Sequence, residues 1–199
     1  MQRLERYKVG HLIIVLALLI TLVSSWIAAA EQQEDRRLLE DFKRGNHIAL
    51  LRHALAPGVG DPENFEPDDC STQRNLSSAG KDQAVRIGLK LKQSGILEAD
   101  VYTSQWCRCL ETAELLGLGT PTVLPALNSF FRDYDRKDQH TEELRNWLAT
   151  QKLEKPLILV THQVNITAFS GIFPGSGEIV LMRRGGDGLF QVTGSIRTD

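Results

Sequence analysis

The chain has 199 residues, of which 42% are hydrophobic and 24% are charged, and its formal net charge at pH 7 is −2. Acidic and basic residues alternate along the sequence without the basic stripe that a phosphate backbone requires, so we expect no nucleic-acid partner. The length suits one ordinary domain whose interior can hold a sheet covered on two faces.

The first 30 residues have the layout of a secretory signal. Three basic residues precede an apolar run from Leu12 to Val23, and Ala28 to Ala30 form a small-residue cleavage site before a polar segment. Cleavage after Ala30 would leave residues 31–199 as one domain. The alternative is an uncleaved signal anchor, because the apolar run extended to Ile27 approaches membrane-spanning length. We expect an exported protein, either periplasmic or secreted, or one held at the inner membrane through this segment alone.

The three cysteines, Cys70, Cys107 and Cys109, leave an odd count in an exported chain. Residues two apart on a helix point in different directions, so Cys107 and Cys109 are poorly placed to pair with each other. We therefore expect a disulfide from Cys70 to one of the other two. A Cys-x-Cys pair without a second pair of ligands is a poor match to a zinc site, so no metal is expected.

Apolar periodicity and capping residues predict helices and strands that largely alternate. The predicted helices are residues 34–43, 78–93, 106–116 and 142–150, the last capped by Thr141. The predicted strands are residues 48–51, 101–103, 122–124 and 157–160, followed by a hairpin of 178–183 and 189–196. This order indicates an α/β fold with a mainly parallel sheet and a hairpin at one edge. Residues 54–74 form a loop long enough to predict contact with a substrate.

Two buried strands each end in a histidine. Residues 48–51 lead into Arg52 and His53, and residues 157–160 lead to His162, while Arg108 lies in the first turn of a helix. Right-handed connections would bring all of these side chains to one edge of the sheet. Two guanidiniums can hold a phosphoryl group while one imidazole attacks phosphorus and the other donates to an equatorial oxygen. The pattern predicts a phosphoryl pocket that needs neither metal nor cofactor.

Four motifs in this order resemble those of the histidine phosphatase superfamily, whose members are phosphoglycerate mutase-like. They are Arg52-His53-Ala54, Leu76 to Ala84 (Leu-x-x-x-Gly-x-x-Gln-Ala), Ser104 to Thr112 (Ser-x-x-x-Arg-x-x-x-Thr) and Val160-Thr161-His162. The resemblance implies a three-layer α/β fold with helices on both faces of the sheet. It also implies that His53 is the nucleophile that becomes a phosphohistidine, and that Arg52, Arg108 and His162 bind the phosphate.

The sequence departs from the family at the general acid. One branch of the family has a glutamate where this chain has Leu127-Asn128-Ser129, and the other has an aspartate where this chain has Gln163. Asp133 or Asp135 could supply the proton from the nearby loop, or the enzyme could lack an acid and cleave substrates with good leaving groups. Ala54 replaces the family's glycine, which requires that its φ is not positive.

These features predict an exported phosphatase for a small phosphorylated compound or an envelope glycolipid phosphate. The alternative is a pseudoenzyme that binds phosphorylated ligands but turns them over poorly, because the usual acid is missing. A phosphomutase is a third and weaker hypothesis. The sequence defines no oligomeric state.

Overall fold

The structure is a computed structural model that describes residues 2–198, with side chains described from residue 23 onward. Two compact units are distinguished, residues 1–37 and residues 38–199. The first unit belongs to the long helix α1 (Gln2–Lys43). Most of the predicted signal segment lies outside the residues whose side chains are described, and cleavage after Ala30 stays a prediction. In the part described with side chains, no helix has both the length and the apolar character needed to cross a membrane.

The second unit is organised around a six-stranded sheet with the order β3-β2-β4-β1-β5-β6. Its strands are β1 (His47–Arg52), β2 (Asp100–Thr103), β3 (Thr122–Val123), β4 (Leu157–Thr161), β5 (Ile179–Arg184) and β6 (Phe190–Ile196). The first four are mutually parallel, whereas β5 runs antiparallel to both β1 and β6. The predicted mainly parallel sheet with a C-terminal hairpin at one edge is confirmed.

Helices cover both faces of this sheet. They are α2 (Ser78–Gln93), α3 (Cys107–Leu116), α4 (Lys137–Ala149) and α5 (Gln163–Ser170), together with the end of α1. The end of α1, α2 and α3 pack on one face, where Leu51 and Val160 are buried. On the other face α4 and α5 pack over Leu50 and Leu159. Strands β1 and β4 are therefore apolar on both sides, as buried parallel strands require, and the three-layer architecture is confirmed.

Three helix predictions differ from the structure. The helix predicted over residues 34–43 is the last part of α1, which begins at Gln2. Thr141 was expected to cap α4, but the helix begins at Lys137, and the Thr141 hydroxyl donates 2.7 Å to the backbone oxygen of Lys137. His140 and Thr141 are buried, so the buried face of the helix begins one turn before the apolar pattern of the sequence. Helix α5 was not predicted, since its eight residues are too few for a clear periodicity.

Candidate active site

The two histidines meet because β1 and β4 are neighbours in the sheet. Arg52 pairs with Thr161 in the parallel register, so His53 and His162 emerge side by side, with their ring centroids 5.6 Å apart. Strand β2 lies on the other side of β4 and leads into α3, whose second residue is Arg108. The structure thus brings all four predicted side chains into one cavity of about 450 Å³.

His53 is held in one tautomer. Its Nδ1 lies 2.8 Å from the backbone oxygen of Ala54, a contact that requires Nδ1–H to be the donor. Its Nε2 therefore carries a lone pair, which accepts a hydrogen bond of 3.2 Å from Nε of Arg108. Burial, and next the positive charge of Arg108, lower the pKa of His53 to about 3. At neutral pH this imidazole is uncharged and presents an unprotonated nitrogen to the cavity.

His162 is also neutral, and its tautomer is linked to Ser104. Its Nδ1 lies 3.4 Å from Nη2 of Arg108, which can only donate, and its Nε2 lies 2.9 Å from the Ser104 hydroxyl oxygen. Burial and then Arg108 lower the pKa of His162 well below its usual value. A hydroxyl can accept from Nε2–H or donate to Nε2. His162 can therefore turn either a lone pair or an N–H toward the cavity, according to the charge bound there.

Arg108 is buried and its guanidinium is fully engaged. Nη1 and Nη2 lie 2.6 and 3.1 Å from the two carboxylate oxygens of Asp61, a bidentate ion pair. Nη1 also donates 3.3 Å to the backbone oxygen of Arg74, and the remaining N–H groups face the two histidines. The carboxylate thus occupies the guanidinium fork in the way that a phosphoryl group can.

The cavity carries an excess of positive charge. The guanidiniums of Arg52, Arg74, Arg108 and Arg132 line it, and Asp61 is the one carboxylate among the described residues that do so. Four positive charges and one negative charge leave a local balance of +3, because both histidines are neutral. Arg52 donates through Nη1 to the backbone oxygen of Pro174, whereas its buried Nε has no partner within the described residues. This arrangement suits a dianionic ligand.

The remaining motif residues hold these side chains in place. Thr112 donates 2.6 Å to the backbone oxygen of Arg108 and accepts 3.0 Å from the N–H of Ala54, which joins α3 to the end of β1. Ala54 does not have a positive φ, as its Cβ requires. Gln83 of α2 accepts from the N–H of Leu55 and donates to the backbone oxygen of Ser176. The motifs therefore fix the strand end that carries His53.

The family's acid positions hold amides with other contacts. Asn128 accepts 2.9 Å from the N–H of Gln105 and so supports the turn before α3. Gln163 donates 2.8 Å to the hydroxyl of Thr167 within α5. Asp133 and Asp135, suggested as alternative acids, are both exposed and are not among the residues that line the cavity.

A disulfide joins Cys70 to Cys107, which confirms the predicted bridge and identifies its second partner. Cys109 is a buried thiol whose Sγ lies 3.5 Å from Nε2 of His162, and burial raises its pKa to about 12. The bridge ties the loop of residues 54–74 to the first turn of α3. Gln73 strengthens that link by accepting 2.9 Å from the N–H of Cys107.

Sequence reasoning assigned no role to Asp61 and Arg74, although both lie in the predicted substrate-facing loop and line the cavity. Trp106, beside this loop, packs against the core and also lines the cavity. Its indole donates 3.0 Å to Asp61 and stacks on Phe65 with ring centroids 5.0 Å apart. The one available signal was the position of this long loop directly after His53.

No protein-family model matches the sequence. No curated protein matches it with significance either. Solved structures do match it in fold.

The protein histidine phosphatase SixA complexed with tungstate is 14% identical, with a TM-score of 0.55 over 76% of this chain and 97% of that one. A phosphoserine phosphatase from Entamoeba histolytica is 15% identical, with a TM-score of 0.56 over 77% and 98%. A mycobacterial glucosyl-3-phosphoglycerate phosphatase is 15% identical, with a TM-score of 0.54 over 74% and 96%. The likeness covers nearly the whole of each matched chain. This protein therefore has the fold of the histidine phosphatase superfamily, as its four ordered motifs predicted.

Proposed function

We propose that this protein is a phosphatase that hydrolyses a phosphate monoester through a phosphohistidine on His53. The observation that carries the proposal is the single tautomer of His53, with Nδ1–H bound to the backbone oxygen of Ala54 and an Nε2 lone pair that faces the cavity and accepts from Arg108 until a phosphoryl group takes that N–H. A nucleophile of this kind needs no base, because burial and Arg108 keep it unprotonated. The phosphatases with the same fold support this class of reaction.

The reaction proceeds in two displacements. In the first, Nε2 of His53 forms a bond to phosphorus while the bond from phosphorus to the leaving oxygen breaks, and that oxygen takes a proton. In the second, water attacks the phosphohistidine, the P–N bond breaks, and phosphate leaves with the Nε2 lone pair restored. Arg52 and Arg108 hold the equatorial oxygens, and His162 donates to one of them after the Ser104 hydroxyl reverses its hydrogen bond. Guanidiniums supply the charge that a metal would otherwise supply, so we propose a metal-independent enzyme.

The mouth of the cavity favours a substrate with an apolar part next to its phosphate. Val59, Phe131 and Phe173 line the cavity and are 88%, 52% and 72% exposed, respectively. Apolar side chains with such exposure beside a cationic pocket are suited to an amphiphilic ester. We therefore propose a small phosphorylated compound or an envelope glycolipid phosphate as the substrate.

We also propose that the enzyme acts outside the cytoplasm. The signal-like first 30 residues support export, and the Cys70–Cys107 disulfide is compatible with an oxidising compartment. Terminal sequencing of the mature protein tests the processing step. A new N-terminus at Glu31 is expected for cleavage after Ala30, whereas an intact N-terminus in a membrane fraction would indicate the uncleaved anchor.

Steady-state kinetics with p-nitrophenyl phosphate test the catalytic proposal. His53→Ala should abolish turnover with little change in melting temperature, and chelators should leave the wild-type rate unchanged. His140→Ala is the matched control, because His140 is also buried but lies outside the cavity. Full activity in a pure His53→Ala preparation would refute the mechanism. Tight phosphate binding without turnover by wild type would instead favour the pseudoenzyme, which the amides at both of the family's acid positions suggest.

A further inference from the structure

The proposed mechanism leaves open which group protonates the leaving oxygen. Of the described residues that line the cavity, Asp61 is the one carboxylate, and its side chain is 9% exposed. Both of its oxygens are bound to Arg108. A carboxylic acid among the described residues of the cavity must therefore be Asp61, or there is none.

A bound phosphoryl group shares Arg108 with Asp61. All the N–H groups of this guanidinium already have acceptors: His53, His162, Asp61 and the backbone of Arg74. The edge formed by Nε and Nη2 faces the two histidines, so a phosphoryl group next to Nε2 of His53 takes that edge from them. Its negative charge then lies on the same guanidinium as the Asp61 carboxylate, which is bound through Nη1 and the other N–H of Nη2.

The bound dianion changes the charge that surrounds Asp61. In the free protein burial opposes its ionisation, but hydrogen bonds and charge from Arg108 outweigh burial and lower the pKa of Asp61. A phosphoryl dianion on the same guanidinium offsets part of that positive charge, which favours the protonated form of Asp61, and protonation in turn weakens its pair with Arg108. The charged and titratable groups around it are Arg52, His53, Arg74, Arg108, Arg132 and His162.

Other contacts keep Asp61 at the cavity when Arg108 is released. The Trp106 indole donates to Oδ2, and the N–H of Arg74 donates 3.2 Å to Oδ1. Arg132 donates to the backbone oxygens of Asp61 and Pro62. The carboxyl group is therefore held at the wall of the cavity rather than swinging into solvent, which an acid near the leaving oxygen requires.

We propose that Asp61 exchanges from Arg108 to the substrate on binding and acts as the general acid of the reaction. Its carboxyl O–H gives a proton to the leaving oxygen as the bond to phosphorus breaks. The resulting carboxylate takes a proton from the water that attacks the phosphohistidine, which returns Asp61 to the acid form until phosphate departs. This inference rests on the proposed phosphatase function. It assigns a residue to the protonation of the leaving oxygen, for which the amino-acid sequence indicated none at the family's usual positions.

The test compares two esters in Asp61→Asn. With glycerol phosphate, kcat/KM should fall by about 100-fold to 10,000-fold, the usual contribution of a general acid. With p-nitrophenyl phosphate, whose leaving group needs little protonation, the fall should stay below about 10-fold. Asp61→Glu should recover part of the glycerol phosphate activity. Asp133→Asn and Asp135→Asn are matched controls that should leave both rates unchanged.

A second measurement reads the exchange without turnover. Tungstate remains a dianion near neutral pH, so calorimetry in buffers of different ionisation enthalpy reports protons taken up by the protein. At pH 6, wild type should take up more protons on binding tungstate than Asp61→Asn, with a difference approaching about one. Asp61→Asn should also bind tungstate more tightly, because the competing carboxylate is gone.

The outcomes separate this inference from the function on which it rests. Wild type that hydrolyses neither ester overturns the phosphatase proposal, and the catalytic step with it. Active wild type with an equal loss on both esters in Asp61→Asn, or with no difference in proton uptake, overturns the role of Asp61 alone and leaves it as a positioning residue for Arg108. If Asp61→Asn fails to fold, the test is made on wild type with a series of phosphate esters whose leaving groups differ in pKa. We expect kcat/KM to depend little on the leaving-group pKa, whereas a steep dependence would overturn the role of Asp61 as general acid.

Discussion

Removing the Cys70–Cys107 disulfide should destabilise the protein strongly. The bridge joins residues 37 apart in sequence, and the entropy of closing such a loop in the unfolded chain corresponds to about 4 kcal/mol at 25 °C. Cys70 is an exposed residue, whereas Cys107 is buried at the start of α3. The double variant Cys70→Ser, Cys107→Ser should therefore lose up to about 4 kcal/mol of unfolding free energy.

The same change should reduce activity without abolishing it. The bridge lies one residue from Arg108, and the loop that it anchors carries Asp61 and Arg74. Hydrogen bonds from the N–H of Cys107 to Gln73 and from Arg108 to the backbone oxygen of Arg74 remain after reduction. We expect kcat/KM to fall by less than about 100-fold, the cost of a displacement near 1 Å.

Urea unfolding followed by circular dichroism measures the effect in oxidised and dithiothreitol-treated protein. Dithiothreitol should destabilise wild type and leave the double variant unchanged. Cys109→Ala retains the bridge, so reductant should destabilise this control as much as wild type. A double variant within about 1 kcal/mol of oxidised wild type would refute the argument from loop closure.

Three further predictions concern the cavity and its support. Arg108→Ala should fold but lose about 2–4 kcal/mol of transition-state stabilisation in kcat/KM with p-nitrophenyl phosphate, and unchanged kinetics would remove Arg108 from the mechanism. Because the pKa of His53 is about 3 in the folded protein and near 6.5 in the unfolded chain, the unfolded state binds more protons between these values. His53 should leave the free energy of unfolding unaffected above pH 6.5 and lower it by about 2 kcal/mol at pH 5, and His162 should lower it further. Urea unfolding of wild type and His53→Gln at pH 7 and pH 5 measures this. A difference in unfolding free energy between the two proteins that does not change with pH would contradict it. Gly80→Ala should destabilise the fold, because its Cβ would lie 2.1 Å from a backbone oxygen of the loop after β1. Gly186→Ala is the control and should not, because no atom lies within 4 Å of the added Cβ. Equal melting temperatures for the two variants would show that α2 can shift to accommodate the methyl group.

Features with local sequence patterns were predictable. The strand ends that carry His53 and His162 follow continuous apolar runs, and the helix predicted over residues 78–93 agrees with α2. The Ala54 position was predicted to avoid positive φ, which the structure confirms. Each of these inferences depends on residues within about one turn or one strand of each other.

Features that depend on distant contacts were not predictable in the same way. The ion pair between Asp61 and Arg108 joins residues 47 apart in sequence, and Asp61 lies in a turn-forming stretch where a carboxylate is ordinary. Asn128 was recognised only as a missing acid, although it binds the turn that precedes α3. Helix α4 begins earlier than its capping pattern suggests, because burial of His140 against Phe130, rather than a cap, favours its first turn.

Trapping of the phosphoenzyme tests the central claim most directly. Wild type would be mixed with radiolabelled p-nitrophenyl phosphate, quenched at alkaline pH to preserve P–N bonds, and digested for peptide mapping. We predict acid-labile label on the peptide that contains His53, absent from His53→Ala and present in His140→Ala. Label on another residue, or steady turnover in wild type without any labelled peptide, would contradict a phosphohistidine at His53.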